Sequence, residues 1–176
     1  MVGFSKIVAS LLVTVAIVAT ASAQARQDPL NPKEIDELRD AAQEPAARMK
    51  LFVEFARTRL TSIEQMRSDP KVTDQAQQTH DILQNFLDVY DELDDNIDTF
   101  VQRRADLRKP LKGVIEADTE FQSKLRALKS AQDPKQGDVQ RYQFLLDNVI
   151  DTVDQGAQDH RQLLAEQDEA AKHKKK

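Results

Sequence analysis

Two histidines, His80 and His160, lie in the part of the chain that patterns as helix, and they bound the chemistry the sequence offers. A di-iron carboxylate bundle needs Glu-x-x-His on two helices. Gln77 stands at that spacing before His80 and Ala157 before His160, so that pattern is absent. His160 falls on an apolar seam, with Gly156 one turn earlier leaving space beside the ring. A haem or metal held through His160, with Met49 or Met66 as a second haem ligand, is the sharpest ligand reading. A packing histidine satisfied within the core is the plainer one. Cysteine is absent, which excludes disulfides, thiolate nucleophiles, cysteine-ligated zinc and iron–sulfur clusters. Ser62, Ser68, Ser123 and Ser130 lack a Gly-x-Ser-x-Gly context, and Gly113, Gly137 and Gly156 do not make a phosphate-cradling loop. Asp118 is the one carboxylate that the apolar pattern places on the seam. It reads as a register device or as an ion-pair partner for Arg104 of a facing molecule. No residue is assigned as catalytic, cofactor-binding or metal-ligating.

Charge is strongly patterned. Asp88, Asp91, Glu92, Asp94, Asp95 and Asp98 surround the seam positions Tyr90, Leu93 and Ile97, which places these carboxylates on an outer face. They read as a solvated surface, or as a docking face for a basic partner or a weak divalent-cation site. Arg103, Arg104, Arg108, Lys109 and Lys112 follow, with Asp106 as the one counter-charge between 103 and 112. These cations are expected to pair with Asp147, Asp151 and Asp154 on the last helix; the other reading is an anion site for phosphate, lipid headgroups or glycan. The net charge of −5 and isoelectric point near 5.3 speak against nucleic acid as a partner.

The elements that carry these residues are helical. Of 176 residues, 40% are hydrophobic, 31% charged and 5% aromatic, with four Gly, a composition that favours helix over sheet. From Thr79 through Leu83, Phe86, Tyr90, Leu93, Ile97 and Phe100 to Arg104, Leu107 and Leu111, and on to Leu128, apolar positions alternate at spacings of four and three. The phase does not slip at Pro110. The sequence therefore predicts an all-α fold: an elongated antiparallel helical bundle or coiled coil whose long central helix is kinked at Pro110. A corner at Lys109-Pro110 would give a compact up-down four-helix bundle instead. Asn31-Pro32-Lys33-Glu34 predicts a capped helix start, with Pro45 as a kink further along one helix. Ser68-Asp69-Pro70 is expected to end that helix and open the next. Gln132 to Asp138 reads as a loop, and the last helix carries Val139, Tyr142, Leu146, Val149, Val153, Gly156, His160, Leu163 and Gln167 on its seam.

The N-terminus supplies a destination. Lys6, the apolar run Ile7 to Val18 and Ala21-Ser22-Ala23 predict a signal peptide over 1–23, cut between Ala23 and Gln24. The apolar run is short of the roughly 20 residues a membrane span needs. A leader over 24–30, a helical domain over 31–171 and a basic tail over 172–176 complete the expected organisation.

Arg48-Met49-Lys50-Leu51-Phe52-Val53-Glu54-Phe55, Arg103-Arg104-Ala105-Asp106-Leu107-Arg108-Lys109 and Leu163-Leu164-Ala165-Glu166-Gln167 resemble segments of a group of exported, all-helical bacterial proteins of unassigned function. The resemblance implies an exported helical protein and brings no activity, ligand or site residue with it. The sequence thus predicts a non-enzymatic, periplasmic or secreted helical protein. It would act by binding another protein or the cell envelope, would not span the membrane after cleavage, and could form a homo-oligomer.

Overall fold

The computed structural model describes residues 28–131 and 139–173. The expected signal peptide over 1–23, residues 24–27 of the expected leader, the segment 132–138 and Lys174 to Lys176 lie outside the described residues. The chain is all-helical: α1 (Pro32–Asp40), α2 (Pro45–Ser68), α3 (Gln75–Gln102), α4 (Arg108–Ser130) and α5 (Gln140–His173). Among the described residues there is no strand, and no helix is long and apolar enough to cross a membrane.

Helix α1 opens as the sequence predicts. The Asn31 side chain accepts from the Glu34 N–H, and Glu34 accepts from the Asn31 N–H, closing the capping box. Glu34 also turns inward and is held below the ordinary carboxylate range. Burial opposes ionisation, but the Arg59 hydrogen bond and then the Asn31 backbone outweigh it. Arg59 bonds both Glu34 oxygens, the Asn85 side chain and the Pro29 carbonyl, and so pins the start of the body to α2 and α3.

Pro45 is not a kink. The helix stops at Asp40, and Pro45 begins α2 at its first position. A proline disfavours helical geometry in the residue before it, and Glu44 is extended at φ −110°, ψ 96°. The proline then costs little, because its missing N–H is among those no helix start satisfies. Asp69 does not open a helix either. It ends α2, and its side chain accepts from the Lys71 N–H across the Pro70 turn. Asp74 caps α3 instead, in a left-handed conformation at φ 52°.

The continuous helix through Pro110 is also corrected. Helix α3 ends at Gln102, and Arg104 is left-handed at φ 59°. Arg104 N–H bonds the Val101 carbonyl and Ala105 N–H the Phe100 carbonyl, the paired bonds of a Schellman cap. Helix α4 restarts at Arg108, so Pro110 falls in its first turn. There the proline breaks no hydrogen bond, and residue 106, which its ring would strike in a longer helix, lies outside. Asp106 assists by accepting from the Arg108 N–H at 3.2 Å.

Cross-helix contacts fix the arrangement. Helices α2 and α3 are antiparallel neighbours, tied by Arg48–Asn96 and Arg59–Asn85. Helices α4 and α5 form a second antiparallel pair, tied by Arg126–Asp154 and Lys129–Asp147. The pairs join along two parallel contacts: α2 with α4 through Arg57–Glu120 and Lys124–Glu64, and α3 with α5 through Arg141–Asp74. Consecutive α3 and α4 therefore stand on a diagonal. They meet in the core, where Phe86 and Phe121 pack edge to face at 5.4 Å between ring centroids. The apolar seams of both helices point at this shared centre, which is why the phase runs unbroken through the corner.

Candidate functional site

The densest chemistry in the body arises where α3, α4 and α5 meet. Tyr90 and Asp94 lie one turn apart on α3, Asp118 comes from α4, and Gly156 and His160 lie one turn apart on α5. His160 is 4% exposed, while Tyr90 and Asp118 are fully buried. The Tyr90 hydroxyl donates to Asp118 Oδ1 at 2.8 Å. His160 Nδ1 lies 2.9 Å from Asp118 Oδ2, and Nε2 lies 3.0 Å from Asp94 Oδ1. Carboxylates on both edges of one imidazole call for a proton on each nitrogen, so the ring is an imidazolium donating twice. Burial, the largest influence, works against this charge. The hydrogen bonds to Asp118 and then Asp94, with their negative charge, overcome it and raise His160 to about 9. Burial also raises Asp94, against the pull of His160, and drives the Tyr90 hydroxyl far upward, so that it stays neutral.

The geometry depends on a glycine. A Cβ on Gly156 would lie 2.5 Å from the Tyr90 hydroxyl oxygen. Only a bare backbone lets α5 pass this close to the ring while Tyr90 reaches Asp118. Phe86 stacks on Tyr90 at 6.1 Å, and Phe121 meets it edge-on at 6.4 Å, which walls one side with apolar surface.

A histidine already protonated at neutral pH is a poor general base, and a neutral phenol fixed to a carboxylate is a poor nucleophile. The two carboxylates face opposite edges of the ring, so all three groups do not converge on one point. Among the described residues no group of three or more His, Cys, Asp or Glu side chains is arranged to hold a metal ion. Met49 is buried in α2 and Met66 half-buried near its end; neither is a partner of His160 among the described contacts.

Several expected partnerships are corrected. Asp118 meets His160 and Tyr90 within the chain, not Arg104. Asp94 leaves the outer acidic face for His160, while Glu92, Asp95 and Asp98 stay exposed. Its spacing of four from seam residue Tyr90 was the available signal, since such pairs share one helix face. His80 stands apart, with Nδ1 3.3 Å from its neighbour Asp81. Asp147 and Asp154 pair with Lys129 and Arg126 at the other end of α4, not with the basic run.

That run lies at the α3–α4 corner. Arg108 pairs with Asp106, and the Arg103 guanidinium sits 6.0 Å from the Phe100 ring centre. Gln167 of α5 spans the corner, accepting from the Leu107 N–H at 2.7 Å and donating to the Ala105 carbonyl at 3.2 Å. Elsewhere, an apolar groove of about 370 Å³ runs between α2 and α4 over Leu60, Ile63, Leu125 and Leu128, bridged by the Lys124–Glu64 pair.

No protein-family model, curated protein or solved structure matches this chain.

Proposed function

We propose that this is an exported, non-enzymatic helical bundle that acts by binding a component of the cell envelope. The observation that supports the reading is the closure of the His160 cluster. The buried ionisable cluster is satisfied within the body, with both ring nitrogens and both Asp118 oxygens engaged. Recognition is left to the surface, where charge is segregated into acidic and basic zones. A haem or metal held through His160, the rival reading, must first break the Nε2 bond to Asp94. For the shape, the antiparallel α2–α3 and α4–α5 pairs support the up-down four-helix body over a rod built on one central helix. Affinity capture from envelope extracts, using the chain that starts at Gln24, tests the function. Specific retention of an envelope lipid or protein is the expected result. A Soret band or stoichiometric metal in the purified protein would overturn it in favour of the His160 ligand reading.

A further inference from the structure

One basic tract gathers at one end of the bundle. The corner between α3 and α4 carries Arg103 and Arg104, and the first turns of α4 carry Lys109 and Lys112. All four are exposed, and none has a carboxylate partner among the described contacts. Elsewhere Arg57, Lys124, Arg126, Lys129 and Arg141 each reach a carboxylate on another helix. The C-terminal end of α5 lies against the same corner, held by the two Gln167 bonds to Ala105 and Leu107. Shallow recesses join Arg104 and Arg108 to Ala170 and Ala171, and Lys109 and Lys112 to Asp168. Lys172, in the last turn of α5, is paired with Glu169. Asp106, Asp168 and Glu169 share the region, but Asp106 is taken by Arg108 and Glu169 by Lys172. Among the described residues, Arg103, Arg104, Lys109 and Lys112 thus form an exposed cationic patch at this end of an acidic protein of net charge −5.

Arg104 sharpens the point. It occupies the left-handed cap position where glycine is the least strained residue, so the chain carries a charged side chain there at a conformational cost.

We propose that this patch is the surface by which the protein docks on a bilayer displaying anionic phospholipid headgroups. The inference rests on the envelope-binding reading above and names the component bound. Exposed cations grouped at one end attract a negatively charged surface additively, and the attraction fades within a Debye length, about 10 Å at moderate salt. Nothing apolar is inserted, so docking is peripheral and reversible.

The test is sedimentation of the chain starting at Gln24 with phosphatidylcholine vesicles, with and without phosphatidylglycerol, at low and high salt. Binding should require phosphatidylglycerol and vanish at high salt. Combining Arg103→Gln, Arg104→Gln, Lys109→Gln and Lys112→Gln should weaken binding at least about tenfold, with unchanged helical circular dichroism. Lys71→Gln with Arg141→Gln, at the far end, should leave it unchanged. Equal binding by the patch variant overturns the patch assignment while envelope binding stands. Indifference of the unaltered chain to phosphatidylglycerol overturns the lipid surface. So does patch-dependent capture of an acidic envelope protein without vesicle binding; loss of all capture would instead remove the envelope reading itself.

Discussion

At the scale of single residues, His160 ties the body's stability to pH. Its imidazolium faces Asp118 from α4 and Asp94 from α3, with Tyr90 behind Asp118. The folded value is about 9 against an ordinary 6.5. The proton is therefore held more tightly folded than unfolded. Its stabilisation is fully present below about pH 6.5 and is lost as pH rises through about 9. A gap of this size corresponds to on the order of 3 kcal/mol. Urea unfolding at pH 6 and pH 9.5 should show the unaltered protein losing stability of this order, and His160→Gln losing much less across the same interval. Gly156→Ala tests the neighbouring contact. The new methyl must displace the buried Tyr90 hydroxyl from Asp118, for a cost of about 1–3 kcal/mol in thermal or urea unfolding. A variant as stable as the parent would show that Tyr90 has room to move. The sequence exposed part of this cluster. Asp118 and His160 stood out because polar residues on an apolar seam need partners. Asp94 did not, because a carboxylate beside five other acids reads as surface until the helix across from it is known.

At the scale of elements, the corner between α3 and α4 is decided by one left-handed residue and one proline. Arg104→Gly removes the Cβ that the left-handed cap disfavours, and should raise stability by about 0.5–1 kcal/mol in chemical denaturation. Pro110→Ala, in the first turn of α4, should change stability by less than about 1 kcal/mol, since no helical hydrogen bond is regained. A gain of several kcal/mol on Pro110→Ala would mean that the ring distorts the helix after all. Here the sequence was readable in part. The all-helical class, the Asn31 cap and the seam of α5 follow from spacing and cap chemistry alone. The breaks at Ala41–Glu44 and Arg103–Leu107 did not, for a physical reason. A seam records which residues face the core, and two helices facing one core keep the same phase whether or not the chain turns between them. The signals lay upstream of the prolines, in Asp106 two residues before α4 and in an arginine able to adopt a left-handed cap.

For the whole molecule, the four long helices enclose one core from Leu83 and Phe86 through Phe121, Leu125 and Leu146, all fully buried. A folded chain of this length has a radius of gyration of about 15 Å. A rod organised on a 60-residue helix would be about 90 Å long and give a radius well above 20 Å. Small-angle scattering of the chain from Gln24 should fall near the lower value, and a result near the upper one would sink the four-helix body proposed above. The diagonal crossing of the chain has another consequence. Helices α2 and α3 are complete with each other, as are α4 and α5, and the five-residue corner is the covalent link between the two pairs. The molecule is in effect two hairpins that recognise one another across Phe86, Tyr90, Phe121 and the Tyr90–Asp118 and Asp94–His160 bonds. Separately expressed halves, divided at Asp106, should find each other and restore the fold, so the protein carries within itself a heterodimer that its own gene keeps at fixed stoichiometry.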